Sequence, residues 1–170
     1  MRYVEMLQSV VVALFRAAVG IAFLILIVSV LWQVIGRFTG NSPVWTEELT
    51  RFALLYLAAI GAGLALRTGD LVNVDVVIES LPERVAWWLR LISAGLVAVL
   101  GLYLAPMAWQ FVSIGWFQSS PALRISMGWV HMSVFVMLAL LAFFALLRIV
   151  SMLAGTSDGR PIHPETEEEI

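Results

Sequence analysis

The sequence predicts an all-α integral membrane protein with four transmembrane helices, both termini in the cytoplasm and a short interfacial helix in the inner loop. Three observations carry this. Of 170 residues, 61% are apolar and only 13% are charged, whereas soluble domains run to about half apolar and about a quarter charged. The charges fall almost entirely between apolar runs, and every positive side chain is an arginine. The runs themselves number four, over residues 17–35, 52–66, 91–114 and 132–147. The absence of cysteine excludes disulfides, thiolate metal sites and cysteine nucleophiles.

The first and third runs are long enough, at about 1.5 Å per residue, to cross a hydrocarbon core of roughly 30 Å. The first is too long for a cleaved signal peptide and no small-x-small cleavage site follows it, so it is expected to be retained. Before it, Tyr3, Val4, Leu7, Val10, Val11 and Leu14 recur at helical spacing, which predicts a segment that lies at the interface or extends the first helix. Ser42 and Pro43 form an N-cap and N1 pair that starts the second helix near Pro43, with Glu47, Glu48 and Arg51 already helical. Run 52–66 alone reaches only about 22 Å, so Arg51 and Glu48 must sit at or below the headgroups. Val72, Val74, Val76 and Ile78 alternate like a strand, but a lone strand at a membrane surface has no partner. The stretch is expected to be extended and to lead into a short interfacial helix ending before Pro82. Pro106 should kink the third helix by removing a backbone donor. The expected domain covers residues 1–154, followed by a disordered acidic tail over residues 155–170.

Orientation follows from the arginines. With the N-terminus inside, Arg2, Arg16, Arg67, Arg84, Arg90, Arg148 and Arg160 are cytoplasmic and Arg37, Arg51 and Arg124 are outside. This bias favours cytoplasmic termini. Trp32, Trp45, Trp116 and Trp129 mark the outer boundary, Trp87 and Trp88 the inner one, and Trp109 lies deeper.

Few residues have the character needed for chemistry. Glu47 and Glu48 stand four and three residues before Arg51, so one arginine can reach both carboxylates along a helix face, and Arg37 can complete a cluster of four. An interfacial patch that sets helix depth and a packing or partner role are equally good readings of it. Ala58, Gly61, Ala62 and Ala65 form a small-residue stripe on which helices can pack in lipid. His131 is the one histidine at membrane depth, and His163 lies in the tail. A bis-histidine haem would need a second membrane histidine, so His131 reads as structural or interfacial. No catalytic carboxylate pair, nucleophile with its base or phosphate-cradling loop is present. Enzyme activity, a cofactor and nucleic-acid binding are therefore not expected. No internal repeat suggests the inverted halves around which many transporters build a substrate site.

In their order and spacing, Arg37, Trp45, Glu47, Glu48, Arg51, the Gly61-Ala62 pair, Arg67, Gly69 and Val74-Asp75 resemble one family. It is the small permease subunit of tripartite ATP-independent periplasmic (TRAP) transporters. Leu81-Pro82 and "SSPALRISMGW" over residues 119–129 continue the resemblance through the fourth helix. Leu71 and Ser126 depart from it, standing where members often carry a histidine and a proline.

The resemblance implies a four-helix subunit of the bacterial inner membrane that pairs with a much larger permease. That partner carries the substrate and sodium sites and moves as an elevator, while a periplasmic binding protein delivers an organic acid. The small subunit then braces the static scaffold, among membrane lipids, and meets the binding protein transiently. By the match, Arg37, Trp45, Glu47, Glu48, Arg51, Gly61, Ala62, Arg67 and Asp75 are the candidate structural or subunit-interface residues. Two rivals stand beside this reading. A redox-enzyme membrane anchor would need paired membrane histidines, and a homo-oligomeric transporter or channel would need a polar pore.

Overall fold

Apolar runs flanked by polar residues become helices because backbone groups in hydrocarbon must be satisfied within their own segment. The computed structural model describes residues 2–41, 43–68 and 81–155, with the side chains of all but 2–11 and 68. Its elements are four helices: α1 (Arg2–Phe38), α2 (Trp45–Thr68), α3 (Glu83–Gly115) and α4 (Met127–Leu153). Each is long and apolar enough to cross a membrane. The residues before the first apolar run extend α1. α2 begins at Trp45, two residues beyond Pro43, with Glu47 and Glu48 in its first turn. α3 continues on both sides of Pro106. The expected inner-loop helix and Asp75 fall within residues 69–80, and the expected tail falls within 156–170; both stretches lie outside the described residues.

The chain divides into two compact units, through which α2, α3 and α4 all run. In the first, made by Met1–Gly61 and Ala108–Val136, the interior is lined by small side chains such as Ala53, Ala59 and Ala108, with Val112, Thr46 and Ser133 fully buried. Aromatic rings meet edge to face between α3 and α4, where Trp109 and Phe135 stand 5.3 Å apart. α1 ends in a Schellman turn. Asn41 N–H donates to the Gly36 carbonyl at 2.9 Å and Gly40 N–H to that of Arg37 at 3.3 Å. Gly40 takes φ 71° there, a left-handed conformation that glycine adopts without strain.

In the second unit, made by Ala62–Met107 and Met137–Ile170, helices approach closely through glycine. A Cβ on Gly63 would stand 2.8 Å from Leu140 Cβ. One on Gly101 would stand 3.0 Å from Ala142 Cβ and 3.1 Å from the Leu138 carbonyl oxygen. Ala86, Ala94, Ala98 and Ala145 fill the remaining interior.

Large apolar side chains point outward instead, among them Leu24, Val28 and Leu31 on α1 and Leu96, Val99 and Leu100 on α3. Small residues inside and large ones outside is the arrangement that lipid selects, since the surroundings are as apolar as leucine and only close packing favours association.

Candidate functional site

The candidate residues gather where α2 begins, in the first unit. Trp45, its first residue, is exposed. Thr46 behind it is fully buried and donates its hydroxyl to the Pro43 carbonyl at 2.7 Å. The turn before the helix is fastened in the same place by Thr46 N–H, which reaches the Pro43 carbonyl at 3.2 Å.

The two glutamates part company. Glu47 turns toward α1, where its Oε1 accepts from Gln33 Nε2 at 3.2 Å and from Arg37 Nη2 at 3.5 Å. Glu48 turns toward the connection between α3 and α4. Its carboxylate accepts from the Ser120 hydroxyl at 2.8 Å, Leu123 N–H at 2.9 Å and Ala122 N–H at 3.1 Å. Arg51, which helical spacing puts within reach of both acids, hydrogen-bonds neither of them. Local spacing allowed that pairing, but donors 72 to 75 residues away along the chain supply better geometry. Arg51 is exposed, and among the described residues it forms no ion pair or hydrogen bond. It lies near enough to Glu48 for charge attraction alone.

The connection is shaped to receive a carboxylate. Ser119 and Ser126 form an isolated antiparallel bridge, closed by Ser120 N–H to the Ile125 carbonyl and Met127 N–H to the Gln118 carbonyl, both at 2.8 Å. Arg124 reverses the chain inside that loop with φ 54°. The loop's free N–H groups are thereby left facing Glu48, a small nest of donors of the kind that binds anions. A Ser-Ser-Pro turn with unpaired donors is the signal in the sequence, but nothing there says which acid it meets.

Nearby, His131 Nδ1 lies 3.1 Å from the Phe111 carbonyl, and its ring stacks on that of Phe111 at 3.7 Å. A carbonyl only accepts, so Nδ1 carries the proton. Tyr56 donates its hydroxyl to the Trp129 carbonyl at 2.6 Å. Sequence reasoning passed over Gln33 and Tyr56, and took Ser120 only as part of the 119–129 connection.

The other candidates lie elsewhere. Gly61 faces open space, with nothing within 4 Å of a Cβ placed on it. Ala62 and Arg67 are half-buried in the second unit. Of the small-residue stripe, Gly61, Ala62 and Ala65 are half-buried. The buried positions of α2 are Thr46, Ala53, Ala59, Gly63 and Leu66, while Ala58 is exposed. Among the described residues no three carboxylate or histidine side chains gather as a metal site would require.

Four long apolar helices tied by polar contacts at their ends define a multi-pass membrane protein. The family described as the DctQ component of tripartite ATP-independent periplasmic transporters matches residues 26–155. The chain belongs to that family. It is 32% identical over 78 residues to the sialic acid TRAP transporter small permease protein SiaQ of Vibrio cholerae, covering 41% of this chain and 45% of that one. It is 22% identical over 139 residues to the Haemophilus influenzae protein named "Putative TRAP transporter small permease protein", covering 81% of this chain and 84% of that one.

Proposed function

We propose that this chain is the scaffold subunit of a TRAP-type secondary transporter. It braces a large permease that takes up an organic acid with sodium, supplied by a periplasmic binding protein. The observation that carries this is where the polar groups go. Ser29 and Ser133, buried within spans, donate to the Ile25 and Val130 carbonyls of their own helices, and Glu47, Glu48 and Ser120 fasten helix ends to one another. Among the described residues, side chains occupied in this way leave no convergent set of donors for a substrate, which a transporter acting alone would need. The arginine bias favours both termini in the cytoplasm, which puts the start of α2 on the periplasmic side where a binding protein docks. The Vibrio relative is named for sialic acid, a carboxylate, and the same class of cargo is proposed for this system.

The test is reconstitution. Proteoliposomes holding the large permease, its binding protein and a sodium gradient should accumulate a labelled organic acid only when this chain is present. Uptake by this chain alone, or by the permease at full rate without it, would overturn the reading.

A further inference from the structure

We infer that the open face of α2 made by Arg51, Leu54, Leu55, Ala58 and Gly61 is the surface on which the large permease subunit packs, with a carboxylate of that subunit meeting Arg51. This rests on the accessory-subunit reading above. These positions recur three and four apart and so share one side of the helix, away from the buried Ala53 and Ala59. Arg51, Leu54, Leu55 and Ala58 are exposed, and Gly61 meets nothing within 4 Å.

Two independent observations select a protein as the occupant. The first is charge. Arg51 lies six residues into a membrane-crossing helix, about 9 Å from its first residue. The carboxylate beside it, Glu48, already accepts three hydrogen bonds from the α3–α4 connection. A guanidinium at that depth is costly against hydrocarbon and is found facing protein or a polar partner. The second is side-chain size. The exposed faces of α1 and α3 carry Leu24, Val28, Leu31, Leu96, Val99 and Tyr103, which suit acyl chains, with single open glycines at Gly20 and Gly95. Below Leu54 and Leu55 the α2 face narrows to Ala58 and Gly61, on the same side as Arg51, and small residues there let a second helix backbone approach. A lipid phosphate would satisfy the guanidinium but would gain nothing from Ala58 and Gly61.

The test uses the tagged full chain in its native membrane, as wild type, Arg51→Glu, Arg51→Lys, Ala58→Leu and Gly61→Leu, with Leu24→Phe on α1 as control. A photoreactive benzoylphenylalanine placed at position 54, where the native leucine is already large and exposed, reports the neighbour directly. The wild type should bring down a many-spanning TRAP permease in near-equal amount, and position 54 should crosslink to it. Arg51→Glu, Ala58→Leu and Gly61→Leu should lower that recovery by about tenfold or more, with unchanged amounts of the chain itself. Arg51→Lys and Leu24→Phe should keep it. If all variants recover the permease equally, or position 54 crosslinks only to lipid or to a second copy, the face assignment is overturned while the accessory reading stands. If the wild type recovers no permease, the accessory reading falls and takes this proposal with it.

Discussion

Replacing Gly115 by alanine tests the junction on which the Glu48 nest depends. The added Cβ would stand 2.5 Å from His131 Nδ1, 2.7 Å from Gly128 N and 2.8 Å from Gly128 Cα. The imidazole can swing aside, at the loss of its bond to the Phe111 carbonyl. The Gly128 atoms are backbone, so the end of α3 and the start of α4 must separate. Overpacking of this kind costs about 1–3 kcal/mol, and the lost hydrogen bond adds about 0.5–1.5 kcal/mol. Alanine's better helix propensity returns up to about 1 kcal/mol. The net expectation is a destabilisation of about 1–3 kcal/mol, roughly 5- to 150-fold in the unfolding equilibrium. The assay is reversible unfolding in mixed micelles followed by tryptophan fluorescence, with Gly61→Ala in parallel. A Cβ on Gly61 meets nothing, so that variant should unfold like the wild type or slightly later. Equal stability of Gly115→Ala and the wild type would refute the close backbone approach on which the reasoning rests.

Further expectations follow from the same contacts. Glu48→Gln keeps the side chain's shape but puts an NH2 group among the donors of Ser120, Ala122 and Leu123. Limited proteolysis should cut within residues 119–125 several-fold faster, with helix content by circular dichroism unchanged; an unaltered cleavage rate would count against the nest. Arg37→Ala removes an ion pair of 3.5 Å whose side chains are 66% and 43% exposed, so its cost in the same unfolding assay should stay below about 1 kcal/mol. Tyr56→Phe removes the 2.6 Å hydrogen bond to the Trp129 carbonyl and should cost about 0.5–1.5 kcal/mol. No loss of stability in Tyr56→Phe would mean that water replaces the bond.

The four spans were legible because lipid imposes length and apolarity on each segment separately, and both are local properties. The partners of the charges were not. Helical spacing placed Arg51 within reach of Glu47 and Glu48, and that inference was sound for an isolated helix. It failed because Gln33, Arg37 and the Ser120 to Leu123 turn compete for the same carboxylates, and only tertiary structure says that they arrive. The glycines of α2 show a related limit. Gly61 and Gly63 are two residues apart and so point to nearly opposite sides of the helix. Composition marks both as sites of close approach, but it takes a neighbour, Leu140, to show that Gly63 is the one used within this chain. The roles of His131 and the 119–126 connection were half legible. A lone histidine reads as structural, yet its contact with Phe111 depends on two helices meeting.

These contacts show how a chain so apolar holds itself together when burial against lipid offers no driving force between helices. The first unit relies on polar bonds, with Glu47, Glu48 and Tyr56 of α2 reaching Arg37, the α3–α4 connection and Trp129. The second relies on proximity, with Gly63 against Leu140 and Gly101 against Ala142. A helix that has already met its own chain through Ala59, Gly63 and Leu66, and still carries Ala58, an open Gly61 and an ion-paired-to-nothing Arg51 among the described residues, has more packing capacity than its own fold uses. Surplus of that kind destabilises a protein that lives alone in lipid, because an isolated cation and a missing side chain both forfeit contacts. It is expected of a subunit whose second neighbour is another chain.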